Sequence, residues 1–205
     1  MIKSLFIENL GAYSQSAEVV CLDVVDSTNS YIKRRMGESL IVTADEQSGG
    51  RGQRGRSFFS PRGGVYVSFT CRPVRPLNEC LHYTALAGLG VWDAIYSSCG
   101  LRCRIKRPND LLYNGKKVCG ILTESQVLAD GPFIVFGVGV NVTNALPPDV
   151  PWAGRLADFA PPPAPETLAA AIVRNTLELI SLAHTHKEQL MTRYDELCDE
   201  NARYE

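Results

Sequence analysis

The chain has 205 residues, of which 45% are hydrophobic and 21% are charged, a balance typical of globular proteins. A chain of this length can bury its own core, so we expect residues 1–205 to form a single domain. The formal net charge of −1 excludes a global attraction to nucleic acid or to a membrane surface. We find neither a recognisable signal peptide nor an apolar run that could span a membrane, which predicts a cytoplasmic protein.

Hydrophobic patterning predicts strands and helices in the first half of the chain. The strands are expected at 18–25, 40–44 and 64–72. A short helix should follow the capping residues at 26–29, and a longer helix should lie between 76 and 98. The polar, glycine-rich stretch 45–64 predicts a loop that connects two strands.

The second half predicts further strands followed by helices. Asn114-Gly115 separates two apolar segments and predicts a hairpin between 111–113 and 117–124. Additional strands are expected at 102–106 and 133–142, an irregular connection at 145–165, and two helices near 166–183 and 187–199. This order predicts an α+β fold in which a mixed, largely antiparallel sheet packs against helices.

The cysteine and histidine patterns argue against a metal centre or a catalytic triad. The seven cysteines include no Cys-x-x-Cys pair, so we expect free, mostly buried thiols rather than a zinc site. The three histidines, His82, His184 and His186, have no serine or cysteine partner in evident context, so we interpret them as structural or surface residues.

The loop at 49–56 is the most informative segment. It contains four glycines and three arginines. Glycine allows close approach of backbone to a ligand, and arginine offers a planar cation that matches carboxylate and phosphate. The pattern is neither a P-loop nor a dinucleotide fingerprint. On spacing alone, an anion-binding loop and a solvated basic loop remain equally open.

Three further segments carry polar groups. Lys106 ends a predicted strand and can present a compact positive charge to a phosphate, whereas Asn109 and Asp110 are also common turn residues. The hydroxyls and amide at 26–29 suit helix capping or a polar ligand. Gly137 and Gly139 lie within a strand, where glycines mark close approach of a ligand ring or tight backbone packing.

Together these segments resemble the biotin–protein ligase family, also called biotin–acetyl-CoA-carboxylase ligase. The order of the motifs matches over roughly residues 20–200: Asp26-Ser27-Thr28-Asn29, Gly50-Arg51-Gly52-Gln53-Arg54-Gly55-Arg56, Lys106-x-Pro108-Asn109-Asp110, Lys117-Val118-Cys119-Gly120-Ile121-Leu122-x-Glu124, and Gly137-x-Gly139-x-Asn141. The resemblance implies that ATP and Mg²⁺ activate biotin as biotinyl-5′-AMP. Biotin is then transferred to one lysine of a biotin carboxyl carrier domain.

The resemblance also implies roles for individual residues. Arg51 and Lys106 would be catalytic. The residues expected to contact biotin are Ser27, Thr28, Asn29, Gln47, Gly50, Arg51, Gly52, Gln53, Lys106, Gly120, Gly137 and Gly139. Those expected nearer the nucleotide are Arg54, Arg56, Phe58, Asn109 and Asn141. The metal ligands cannot be assigned from the sequence, and a homodimer is possible.

The sequence departs from the family pattern in several places. Arg107 replaces the tryptophan usual between the lysine and the proline, and Gln53 stands where several members carry a basic residue. We expect neither the small C-terminal β domain nor the N-terminal DNA-binding domain of some members, and therefore no repressor function. The alternatives are a lipoate or octanoate ligase or transferase of the same fold, a non-catalytic biotin-binding or nucleotide-binding relative and, more distantly, a basic-loop nucleic-acid binder.

Overall fold

A computed structural model describes residues 1–199 and contains one seven-stranded sheet. The strand order is β1-β2-β3-β7-β6-β5-β4. Strand β1 pairs parallel with β2, and the remaining neighbours pair antiparallel. The predicted α+β fold with a mixed, largely antiparallel sheet is therefore confirmed.

The elements have the following bounds. The strands are β1 Glu18–Val25, β2 Leu40–Gln47, β3 Val65–Cys71, β4 Arg104–Lys106, β5 Asp110–Tyr113, β6 Lys116–Leu128 and β7 Gly131–Val140. The helices are α1 Lys3–Leu10, α2 Tyr13–Ser16, α3 Thr28–Lys33, α4 Tyr83–Cys99 and α5 Pro165–Leu197. Short 3-10 turns occur at Gln53–Gly55, Leu77–Cys80 and Leu156–Asp158.

The predicted elements are present, with shifted boundaries. The long helix begins at Tyr83 rather than near 76, because Leu77–Cys80 forms a separate 3-10 turn. Helix α5 is interrupted at His186, whose φ of −125° departs from helical geometry. This break lies between the two helices predicted near 166–183 and 187–199. In the hairpin, Asn114 and Gly115 have φ of 47° and 73°, as a type I′ turn requires.

The N-terminal helix α1 was not predicted. Ile2, at the N-cap position before the helix, makes no side-chain cap, and the first and last turns of the helix carry no complementary charge, so the usual start and stop signals are missing. Phe6 and Leu10 are nevertheless completely buried. Tertiary packing against α5 rather than local propensity stabilises this helix.

The two faces of the sheet are covered differently. Helices α4 and α5 cover one face over a large apolar core that includes Phe69 and Phe136, whose rings stack at 5.2 Å. A smaller cluster around Ile32 of α3 and Phe133 of β7 lies on the other face. Successive side chains of a strand point to opposite faces, so Ser68, which alternates with Phe69, faces α3. This less crowded face carries the candidate site.

All seven cysteines are free and four of them are buried, which confirms the prediction of unpaired thiols. Among residues 1–199 no helix is long and apolar enough to cross a membrane.

Candidate functional site

A cavity of about 430 Å³ opens on the α3 face of the sheet. Its wall is formed by the start of α3, the end of β2 and the loop that follows, and its floor by β6 and β7. The lining residues are Ser27, Thr28, Asn29, Gln47, Arg51, Gly52, Gln53, Arg54, Arg56, Ser57, Phe58, Lys106, Arg107, Pro108, Asn109, Asp110, Lys117, Gly120, Ile121, Leu122, Gly137, Val138 and Gly139. The fold thus brings together motifs that are more than 100 residues apart in the sequence.

The lining contains every predicted site residue except Gly50 and Asn141. Gly50 lies at the base of the loop, where a Cβ atom would be 2.2 Å from the carbonyl oxygen of Phe58. Asn141 follows β7, is buried, and accepts a hydrogen bond from Asn144 Nδ2 at 3.2 Å. In this structure both residues therefore support the backbone around the cavity rather than lining it.

A buried polar network forms one wall. The Thr28 amide donates to Gln47 Oε1 at 2.9 Å, and the Thr28 hydroxyl lies 3.1 Å from the same oxygen. Ser68 Oγ lies 2.7 Å from Thr28 Oγ1 and 2.6 Å from Asn29 Oδ1. Ser27 takes the capping role, because its Oγ accepts from the Ser30 amide at 3.4 Å. Thr28 and Asn29 therefore point inward rather than capping the helix.

Strand glycines make room for side chains of the chain itself. A Cβ atom on Gly137 would lie 2.0 Å from Asn29 Oδ1, and one on Gly139 would lie 2.5 Å from Phe58 Cε1. Gly120, the cross-strand partner of Gly139, is also close to this ring, with its Cβ position 3.2 Å from Phe58 Cε2. The ring that the glycines admit in this structure is therefore that of Phe58, and it forms part of the cavity surface.

The glycine-rich loop folds back on itself in a hydrogen-bonded turn. The Gly52 amide donates to the Arg56 carbonyl at 2.7 Å, and Arg51 forms an isolated antiparallel bridge with Ser57. At the tip, Arg54 and Gly55 have φ of 57° and 75°. A left-handed conformation costs a non-glycine residue about 1 kcal/mol, so Arg54 is held in a strained backbone geometry at the cavity wall.

The cavity is strongly cationic. Its basic lining residues are Arg51, Arg54, Arg56, Lys106, Arg107 and Lys117, and its one acidic lining residue is Asp110. Fixed positive charges in a partly enclosed cleft favour an anionic ligand. The site is therefore built for a molecule that carries carboxylate or phosphate groups.

Lys117 is a lining residue to which no role was assigned from the sequence. Its Nζ lies 2.8 Å from Asp110 Oδ1 and 5.9 Å from the centroid of the Phe58 ring. Lys117 is the first residue of the Lys117–Glu124 motif on β6, three residues before Gly120. That motif is the sequence signal that could have identified Lys117 as a site residue.

Two polar residues that do not line the cavity, Ser68 and Glu124, were also given no role from the sequence. The Glu124 carboxylate accepts from Asn29 Nδ2 at 3.0 Å and from Lys33 Nζ at 2.9 Å. Burial alone would raise the pKa of Glu124, but these hydrogen bonds and the charges of Lys33 and Arg51 together lower it. The carboxylate is therefore ionised at neutral pH.

Arg107 is anchored away from the sheet. Its guanidinium lies 2.6 Å from Asp195 Oδ1 and 5.2 Å from the centroid of the Tyr194 ring. Tyr194 in turn donates to the Pro108 carbonyl at 3.1 Å. The residue that replaces the usual tryptophan thus packs the turn after β4 against the end of α5.

A family model for the biotin/lipoate A/B protein ligase family matches residues 21–141. This match includes more than half of the chain and all of the cavity-lining residues. The chain belongs to the biotin/lipoate A/B protein ligase family.

Within this family, the curated relatives that the chain resembles include biotin ligases. The chain is 34% identical over 178 residues to the biotin–acetyl-CoA-carboxylase ligase of Paracoccus denitrificans, covering 82% of this chain and 72% of that protein. It is 39% identical over 144 residues to the bifunctional ligase/repressor BirA of Bacillus subtilis, covering 67% of this chain but 43% of that protein. The resemblance to a biotin protein ligase catalytic domain is thereby confirmed, although the chain spans less than half of the Bacillus relative.

A solved structure supports the fold. A biotin protein ligase from Aquifex aeolicus, in complex with biotin and ATP, superposes with a TM-score of 0.77 at 24% identity. The alignment covers 88% of this chain and 78% of that one. The likeness shows that the two chains share the arrangement of sheet and helices.

Proposed function

We propose that this chain activates biotin with ATP to form biotinyl-5′-AMP and pyrophosphate, and then transfers biotin to a lysine of a biotin carboxyl carrier domain. The observation that carries the proposal is the composition of the cavity. Uncharged hydrogen-bonding groups from α3 and β2 and a set of cations line one space of about 430 Å³. Biotin has a neutral cyclic urea and a carboxylate, and ATP supplies phosphates, so both kinds of lining group have a partner.

The neutral groups suit recognition of the urea ring. Ser27, Thr28, Asn29 and Gln47 provide hydroxyl and amide groups at the cavity wall. Hydrogen bonds between Thr28 and Gln47, from Ser30 to Ser27, and from Asn29 to Glu124 fix their orientation. Prearranged polar groups bind a neutral polar ligand with little loss of conformational freedom. We therefore assign this wall to the biotin ring.

The cations suit the chemistry of both steps. In the first step a biotin carboxylate oxygen bonds to the α-phosphorus while the bond to pyrophosphate breaks. In the second step the acceptor amine bonds to the acyl carbon, AMP leaves, and the amine loses a proton. Negative charge concentrates on oxygens each time, and fixed cations stabilise it without reorganising. Arg51 and Lys106 are the proposed catalytic residues, and Lys117 is a further cation in the same cavity.

The same cations offset the repulsion between two anionic substrates. A carboxylate and a triphosphate must approach within bonding distance, and holding reactants in that geometry contributes much of the rate in such reactions. The acceptor lysine is itself the nucleophile, so the protein needs no covalent intermediate of its own. The neighbouring Arg54, Arg56, Phe58 and Asn109 line the part of the cavity assigned to the nucleotide.

Mg²⁺ is expected with ATP. Among residues 1–199 no group of three histidine, cysteine, aspartate or glutamate side chains forms a metal site of protein ligands alone. Mg²⁺ is commonly held by one or two carboxylates together with substrate phosphates, and Asp110 provides a carboxylate inside the cavity. Bound there, the ion would neutralise phosphate charge.

The proposal is tested by incubating the protein with biotin, ATP, Mg²⁺ and a biotin carboxyl carrier domain. Mass spectrometry should show one biotinyl group on a single acceptor lysine. An equimolar mixture of biotin and lipoate should yield biotinylated acceptor. Lipoylated product would instead identify the protein as a lipoate ligase, and binding of biotin without AMP production would identify a non-catalytic relative.

We also propose that the protein is located in the cytoplasm, because seven free thiols are typical of a reducing compartment. The partner is the carrier domain, and neither nucleic acid nor a membrane is required for the reaction. Homodimerisation stays a prediction.

A further inference from the structure

The Glu124 carboxylate lies behind the cavity at a point where three elements meet. Glu124 belongs to β6 and its side chain is 23% exposed. Oε2 accepts from Asn29 Nδ2 at 3.0 Å. Oε1 lies 2.9 Å from Lys33 Nζ and 3.6 Å from Arg51 Nη2. One carboxylate therefore contacts α3 through two residues and the glycine-rich loop through a third.

We propose that Glu124 is a positioning residue that fixes the Asn29 amide and fastens the glycine-rich loop to the sheet through Arg51. This inference rests on the proposed function for its consequence in catalysis, but the fastening itself is a property of the free protein. Glu124 does not line the cavity, so it acts through Asn29 and Arg51, which do.

The Asn29 amide is held from both ends. Ser68 Oγ lies 2.6 Å from its Oδ1, while its Nδ2 donates to Glu124. The strand below has glycine at 137, where any Cβ would collide with the amide. A carboxylate accepts hydrogen bonds only, so the Asn29 NH2 group must point toward Glu124 and its oxygen toward Ser68. That orientation determines where Asn29 presents a hydrogen-bond donor and where it presents an acceptor to a ligand in the cavity.

The Arg51 contact has a different character. At 3.6 Å the pair is an ion pair without a short hydrogen bond, and the Arg51 side chain is 45% exposed. The guanidinium has five N–H donors, so a carboxylate that attracts one side of it leaves donors for an anion in the cavity. The contact with Glu124 orients the Arg51 guanidinium, and Arg51 keeps N–H donors with which it can bind a second anion.

The shared partner Lys33 provides a matched control. Lys33 pairs with the same Oε1 atom, is 37% exposed, and does not line the cavity. Removing Lys33 weakens the charge environment of Glu124 while leaving its contacts with Asn29 and Arg51 in place. A purely electrostatic or structural role of Glu124 predicts similar effects for Lys33→Ala and Glu124→Gln, whereas a positioning role predicts effects for Glu124→Gln alone.

Loop fastening is measured without any substrate. Trypsin cleaves after arginine, and the loop contains three arginines at 51, 54 and 56. Cleavage of a transiently open segment reports the population of the open form. Losing a partly exposed ion pair should raise the cleavage rate in the loop about threefold in Glu124→Gln, and Lys33→Ala should cleave at the wild-type rate. Equal rates in all three proteins would overturn the proposal, whatever their activity.

The catalytic consequence is measured by biotin-dependent pyrophosphate exchange. Glu124→Gln replaces the charge-assisted hydrogen bond to Asn29 by a weaker neutral one and removes the ion pair with Arg51. Together these changes should reduce kcat/KM for biotin about tenfold, with KM for ATP within about twofold of wild type. Glu124→Asp keeps the charge on a shorter side chain and should fall between. An unchanged kcat/KM, or the same loss in Lys33→Ala, would overturn the proposal. If wild-type protein shows no exchange, the proposed function fails, and the trypsin rates still decide whether Glu124 fastens the loop.

Discussion

The contact between Gly137 and Asn29 gives a quantitative prediction. In Gly137→Ala the new Cβ would lie 2.0 Å from Asn29 Oδ1 and 2.7 Å from its Cγ, so the amide must move. Asn29 is buried at 3% exposure, and overpacking a well-packed site costs about 1–3 kcal/mol. Moving the amide also breaks its bond to the Glu124 carboxylate, worth about 1.5–3 kcal/mol. We expect a total loss of roughly 2.5–6 kcal/mol in the free energy of unfolding.

Urea denaturation measures the loss of stability in Gly137→Ala, and titration calorimetry measures its affinity for biotin. Biotin binding should weaken strongly because the Asn29 amide no longer faces the cavity in its native orientation. Gly88→Ala in α4 is the matched control, since its Cβ would meet nothing closer than 3.4 Å and alanine favours a helix by about 1 kcal/mol.

A double-mutant cycle tests the stated cause. In Asn29→Ala the obstructing side chain is absent, so adding Gly137→Ala should cost less than about 1 kcal/mol. An equal cost in both backgrounds would refute the steric explanation. The double variant also keeps the test informative if Gly137→Ala alone does not fold.

Three other outcomes are expected. Lys117→Met should lower the unfolding free energy by about 1.5–3 kcal/mol, because the largely buried Asp110 carboxylate loses its ion pair with Lys117, and adding Asp110→Asn should recover much of this loss in urea denaturation. The Arg34 guanidinium lowers the pKa of Asp26 to about 2. A depressed carboxylate pKa stabilises above the unfolded value and loses that effect as the pH falls through the folded value, so thermal melts of wild type and Asp26→Asn should differ at pH 7 and converge near pH 2. Gly115→Ala should destabilise by about 1 kcal/mol in urea, because its φ is 73°.

Much of the fold was predictable because the signals were local. Asn114-Gly115 specifies its hairpin through the backbone angles of two residues. The strand at Glu18–Val25 follows from β-branched composition and was predicted with the observed bounds. Helix α1 has no such signal, because its stability comes from burying Phe6 and Leu10 under other elements. Local pattern therefore accounts for the sheet but not for that docked helix.

The candidate site was predictable only where a motif marked it. Loop arginines and Lys106 stood out by residue type and spacing, and they line the cavity. Ser68 and Glu124 lie 39 and 95 positions from Asn29 in the sequence. A motif includes Glu124 and none includes Ser68, but neither residue carries a local signal of its contact with Asn29. The partner of each strand glycine is likewise set by packing. The sequence left close approach of a ligand ring and tight backbone packing as alternatives at Gly139, where the structure has the Phe58 side chain.

In the proposed reaction this cavity joins biotin to AMP. The most direct measurement is exchange of labelled pyrophosphate into ATP with and without biotin, in wild type, Arg51→Ala and Lys106→Ala. We predict exchange in wild type that requires biotin, and a decrease of about 100-fold or more in each variant, the usual effect of removing one group that stabilises developing charge. Absence of biotin-dependent exchange in wild type would contradict the assigned reaction. Wild-type rates in either variant would remove that residue from the catalytic site.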